Sequence, residues 1–246
     1  MDFGLRDIAY IITVIIEIAL PIILATIIWK KFKVSWAIFL LGIVLFLTSL
    51  IRVPLNNYAA IIIDKSFHKE ISIILIFLFS ALTAGIFEEG ARVLAIGVII
   101  KPMNYYKGIM YGIGHGGGGE AMVFVGLQTL TNYIILKFFP NTLSANVISQ
   151  LKMMTWYLPM MGAVERIFGI TIQIALSVLV AYAFISKKYS FIFIAIIYHA
   201  IVDFVAVYLN YKFGMYISEA SVLLFAIIGI VIIFLLKTKK QTEEAI

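Results

Sequence analysis

The chain has 246 residues, 63% of them hydrophobic and 13% charged, with a mean hydropathy of +1.08. Soluble domains carry about 25% charged residues, so an ordinary soluble fold is excluded and an integral membrane protein is indicated. The net charge of +6 comes with no cysteine, which rules out disulfide and thiolate chemistry. The cations sit at the ends of apolar runs, which ties them to membrane topology and argues against a nucleic-acid partner.

Seven apolar runs are long enough, at roughly 20 residues, to cross a hydrocarbon core of about 30 Å. They predict an all-α membrane protein of one domain over 1–246, with spans at 8–29, 34–51, 71–100, 105–136, 157–186, 190–211 and 218–236. The first run lacks a basic n-region and a clear small-residue cleavage site, so it reads as a retained span. Between spans two and three, "RVPLNNYAAIIIDKSFHKE" reads as a loop whose short apolar dip lies at the interface. Between spans four and five, "KFFPNTLSANVISQLKMMTW" reads as loop or interfacial helix. No internal repeat is evident.

Lysine and arginine then set an orientation. Lys30, Lys31, Lys33, Lys101, Lys107, Lys187, Lys188, Lys237, Lys239 and Lys240 fall on one side in tight clusters. The cations of the other side are spread over longer loops. The positive-inside rule places the N-terminus outside and the C-terminus in the cytoplasm.

The informative residues interrupt the spans. Span three carries "GIFEEGARVLAIG", with Glu88, Glu89 and Arg92. Arg92 lies three and four residues beyond the glutamates, so it can reach either one along its own helix. Span four carries "YGIGHGGGGEAMVF", with Tyr111, His115 and Glu120. Its glycines permit close approach of another backbone or of a substrate. Gln173 lies in span five. Span six carries "YHAIVD", whose His199 and Asp203 share a helical face. Counted from the expected cytoplasmic ends, Glu88, Glu89, His115, Glu120, Gln173, His199 and Asp203 lie roughly 14–22 Å deep at 1.5 Å per residue. Four helices thus bring polar groups to one layer, the usual mark of a functional site inside a membrane. Glu165 and Arg166 fall nearer the outer face and read as architectural, and His68 as a loop residue.

Each motif has a plainer reading: a structural ion pair at EEGAR, a satisfied core hydrogen bond at His199, and pure packing for the glycines. Their shared depth is what argues for a site.

On these residues the chain resembles the membrane-embedded proteases of the CAAX-processing and bacteriocin-processing (CPBP) and PrsW groups, and most closely the YhfC-type membrane metallopeptidases. The resemblance runs over about 80–210 and rests on "EEGAR", "YGIGHGGGGE", "VERIFGITIQIALSVLVAY" and "YHAIVD". It implies a bundle like that of CPBP and PrsW proteins and of the APH-1 scaffold of gamma-secretase. It also implies a prokaryotic cytoplasmic membrane and hydrolysis of a membrane-bound protein or peptide. Glu88, Glu89, Glu120, His115, His199 and Asp203 would be the catalytic groups, supported by Arg92, Gln173 and Ser177. If zinc is present, His115, His199 and Glu120 would hold it; a metal-free glutamate and histidine pair is the alternative. Gln173 departs from the family pattern, which has histidine there; a glutamine cannot serve as a base, so an impaired or inactive form is also open. A scaffold on the same fold and a proton-coupled transporter are the competing functions. The chain has no HExxH, no GxGD and no serine-protease motif backed by a suitable histidine.

Overall fold

The structure is a computed structural model that describes residues 4–139, 142, 144, 149 and 155–237. Among these residues there is no β-strand. Helix is what an apolar chain in lipid must form, because no water is there to satisfy backbone N–H and C=O groups. The helices are α1 (Leu5–Phe32), α2 (Trp36–Ser49), α3 (Arg52–Ser66) and α4 (Lys69–Leu94), the last continued by a π-turn at Ala95–Ile99. There follow α5 (Tyr105–Gly112), a π-helical segment at Ile113–Gly126, α6 (Leu127–Phe138), α7 (Tyr157–Ser186), α8 (Ser190–Phe213) and α9 (Met215–Leu235).

Seven helical runs are long and apolar enough to cross a membrane, in agreement with the seven predicted spans. The second and third elements depart from expectation. The stretch read as a loop is the helix α3, which continues the second run to Ser66 after a break at Leu50 and Ile51. The stretch holds a proline and two asparagines, residues common in loops. Pro54, however, falls in the first turn of α3, where a missing N–H costs nothing. Asn56 is used as an acceptor for the Thr83 hydroxyl at 2.7 Å, which docks α3 on α4. The expected loop between spans four and five lies mostly outside the described residues.

The centre of the bundle is α7. In its most apolar window 61% of residues are buried inside the protein, against 17–28% for the other spans. The helix is lined there by Ala175, Leu176, Val178, Leu179, Val180 and Ala181, all buried. The remaining spans bury one face against this axis and turn Ile, Leu and Phe outward, as at Phe193, Ile197 and Ile201 on α8. Lys33 and Lys187 end α1 and α7 in the left-handed conformation, so both helices turn sharply beside basic residues.

The glycine run explains how α2 and the π-segment come together. A Cβ on Gly114 would sit 2.2 Å from the Phe39 carbonyl oxygen, and one on Gly119 would sit 2.6 Å from Phe46 Cβ. On the other side, a Cβ on Gly117 would lie 2.9 Å from Pro21 Cβ in α1. The room these glycines make is already filled by neighbouring helices. Of the two uses that the sequence leaves open, a neighbouring backbone or a substrate, the run serves packing. The weak helix propensity expected of it appears as π-turns, closed by bonds such as Leu127 N–H to the Met122 carbonyl.

Candidate active site

Each of the three arginines in the polar layer is paired with a glutamate. Arg92 is fully buried, and its Nη1 donates to Glu89 Oε1. Its Nε donates to Ser177 Oγ at 3.0 Å and its Nη2 to Gln173 Oε1, which ties α4 to α7. Ser177 in turn donates to the Gln173 carbonyl at 2.9 Å. Glu88 is therefore not held by Arg92 but by Arg52 from the start of α3, whose Nη2 donates to Oε1 at 2.9 Å. Glu120 Oε1 accepts from Arg166 Nη1 at 2.8 Å, and Arg166 also bonds Glu165. Buried carboxylates with opposed guanidinium groups avoid the several kcal/mol that an unpaired buried ion costs.

The imidazoles fill the space between. His199 Nδ1 lies 2.7 Å from Glu89 Oε1, and His115 Nδ1 lies 3.3 Å from the Tyr111 hydroxyl. Their Nε2 atoms face the same oxygen, Glu88 Oε2, at 3.8 Å for His199 and 3.3 Å for His115. Asp203 Oδ2 is 3.7 Å from His199 Nε2, and its side chain keeps 38% exposure. Gln173 sits in the middle: its Nε2 donates to Glu120 Oε2 at 2.9 Å and lies 3.4 Å from Glu88 Oε2. Gly116 makes the space for it, since a Cβ there would lie 2.3 Å from Gln173 Cβ.

These groups surround a cavity of about 390 Å³. Glu88, Glu120, Gln173, His199 and Asp203 line it together with Arg52 and Arg166, and Phe46 and Phe124 supply apolar wall. All nine residues singled out in spans three to six as catalytic or supporting meet in one connected network. Two further members were not foreseen. Arg52 was placed in a loop, and only its helical setting brings it to Glu88. Arg166, which its depth alone marks as architectural, binds Glu120 and borders the cavity. Glu17, in the middle of α1, was also passed over; it is 1% exposed and its Oε2 has no hydrogen-bond partner. Its signal was available, since a carboxylate in the middle of an apolar span is costly without a purpose. His68 precedes α4 as an exposed cap residue, away from the network.

Residues 16–228 match the YhfC intramembrane metalloprotease family. The chain belongs to that family. It is 29% identical over 178 residues to the uncharacterized membrane protein YhfC of Bacillus subtilis (strain 168), covering 66% of this chain and 68% of the relative. No solved structure matches. The YhfC match covers the polar layer and the later part of the first span, beyond the region that the motifs alone reached.

The family name implies a metal, and the donors of this layer fit one in kind. Two imidazole Nε2 atoms and one carboxylate oxygen are the donor types of His₂Glu hydrolytic zinc sites. Each imidazole is oriented through its other nitrogen, by Glu89 or by Tyr111, as ligating histidines are. Among the described residues no three such side chains close into a ligand group, so the fit lies in donor type and orientation. Glu120 fits less well than Glu88, because its oxygens bond Arg166 and Gln173, whereas Glu88 Oε2 faces both imidazoles.

Proposed function

We propose that this protein is an intramembrane endopeptidase that hydrolyses a membrane-bound protein or peptide at the cavity between α4, α7, α8 and the π-segment. The observation that carries the reading is the convergence of His115 and His199 Nε2 on Glu88 Oε2 at the wall of a polar cavity within the bundle. His115, His199 and Glu88 would hold a divalent metal. Such a metal, when bound, polarises a carbonyl oxygen and lowers the pKa of a coordinated water. Glu89 and Tyr111 keep the imidazoles turned toward Glu88. Asp203, at the exposed rim 3.7 Å from His199, is placed to accept a proton from an attacking water or to return one to a leaving amine. Gln173 is a neutral link that fixes Arg92 and Glu120; its amide supplies what the network needs without acting as a base.

Reconstitution into liposomes with membrane-anchored reporter peptides tests this. The protein should cleave them, lose activity on chelation and recover it with zinc, and Glu88→Gln and His199→Ala should be inactive. Cleavage untouched by both substitutions would refute the assignment. The scaffold reading is favoured by one observation, that most of the polar side chains are already paired. It predicts no cleavage under any metal condition.

A further inference from the structure

At the end of the bundle where α1 turns into α2 and α4 turns into α5 lies a second cavity, of about 670 Å³, away from the polar layer. Its rim carries Lys33, Lys101 and Lys107, and its lining includes no carboxylate. Lys107 Nζ donates to the Pro102 carbonyl at 2.5 Å, which holds it at the rim. Lys33 and Lys101 have no acidic partner among the described residues. Ile38, Leu41 and Ile100 make the deeper wall apolar.

Two helices also begin at this cavity. Ser35 caps α2, its Oγ accepting from Ala37 N–H at 3.1 Å, and Asn104 caps α5, its Oδ1 accepting from Lys107 N–H at 2.9 Å. Both cap residues line the space; their positive helix ends offset the negative ends of α1 and of the turn after α4, which leaves the lysines as the net charge of the mouth. Lys30 and Lys31 in the last turn of α1 strengthen the same field. The result is a cationic mouth over an apolar floor, inside a volume typical of small-ligand sites of roughly 300–1,000 Å³.

We infer that this cavity is a binding site for one anionic phospholipid of the surrounding bilayer, its headgroup phosphate held by Lys33 and Lys101 and the top of an acyl chain lying on Ile38, Leu41 and Ile100. A soluble anion would answer the charge but leave the apolar floor uncovered. A zwitterionic lipid would cover the floor but bring a choline cation to a mouth already cationic. Only the anionic lipid satisfies both halves. The site joins the turn after α4, the helix of Glu88 and Glu89, so its occupant touches an element that carries the polar layer.

The full-length protein is purified in mild detergent and titrated with phosphatidylglycerol, phosphatidylcholine or glycerol phosphate, and bound ligand is counted by native mass spectrometry. The wild type should retain one phosphatidylglycerol in clear preference to phosphatidylcholine, and glycerol phosphate should not be retained. Lys33→Gln combined with Lys101→Gln should weaken that retention on the order of tenfold or more, since both cations that face the headgroup are lost. Lys187→Gln with Lys188→Gln removes two cations outside the cavity and should leave it unchanged. Equal retention of the two lipids by the wild type would overturn the inference, as would tight binding of glycerol phosphate or full retention by the Lys33 and Lys101 double variant. The wild-type comparison among the three ligands decides the matter even if a variant fails to fold.

Discussion

Arg52 Nη2 meets Glu88 Oε1 at 2.9 Å, across 36 positions of sequence and from a different helix. That contact, and not the nearby Arg92, is what lets Glu88 sit in the polar layer with its second oxygen turned to two histidines. Arg52→Met leaves the carboxylate unopposed. Breaking a buried pair costs about 3–5 kcal/mol, and the Arg52 side chain, 18% exposed, places the loss at the lower end. Thermal unfolding in detergent should show the midpoint fall by about 6–12 °C, with cleavage lost in step. A midpoint within a degree of wild type would mean the pair is idle.

Gln173 is expected to matter as a link. Gln173→Ala removes the acceptor of Arg92 and the donor to Glu120 at once, and each unsatisfied buried partner costs about 1–3 kcal/mol. Gln173→His can keep one donor and one acceptor, and should be more stable than the alanine variant in the same unfolding assay. Equal stability of the two would show that the side chain is only filling space.

The glycines separate into two kinds. Gly116→Ala drives a methyl into Gln173, 2.3 Å away from the new carbon, and should abolish a monodisperse peak on size-exclusion chromatography. Gly90→Ala, on the same helix as Glu88, meets nothing within 4 Å and should be neutral or stabilising by up to about 1 kcal/mol. If Gly116→Ala behaves like Gly90→Ala, the packing account of the run is wrong.

Metal content offers a test independent of catalysis. Protein purified with zinc present should carry about one equivalent by elemental analysis. His115→Ala, His199→Ala and Glu88→Gln should each reduce it by 10-fold or more, and Glu120→Gln by much less. His68→Ala should bind as the wild type does. Retention of metal by the Glu88 and histidine variants alike would place the ion elsewhere.

Hydropathy carried most of the fold, because a 20-residue apolar run has little choice but to be a helix in lipid. The spacing within "EEGAR" and "YHAIVD" and the shared depth of the polar groups were enough to assemble the network from α4, the π-segment, α7 and α8. What escaped the sequence were relations that depend on tertiary direction. Arg52 looked like a loop residue because Pro54 and two asparagines follow it, and nothing local says that it points at Glu88. Arg92 had two carboxylates in reach by helical spacing, and spacing alone does not choose between them. Arg166 was judged by depth, but an arginine side chain is long enough to reach Glu120 from another level. The glycines could have faced a substrate or a neighbour, and only the positions of Phe39, Phe46 and Pro21 decide it.

The chamber beside His199 has a size limit that bears on what the proposed peptidase would admit. An α-helix with its side chains is about 10–12 Å across, a poor fit to a space of about 390 Å³ walled on one side by Phe46 and Phe124. A transmembrane segment would have to unravel locally and thread in as extended chain past the Asp203 rim. Sequences that resist unwinding would survive passage, and those with a glycine or proline near the scissile bond would be favoured prey.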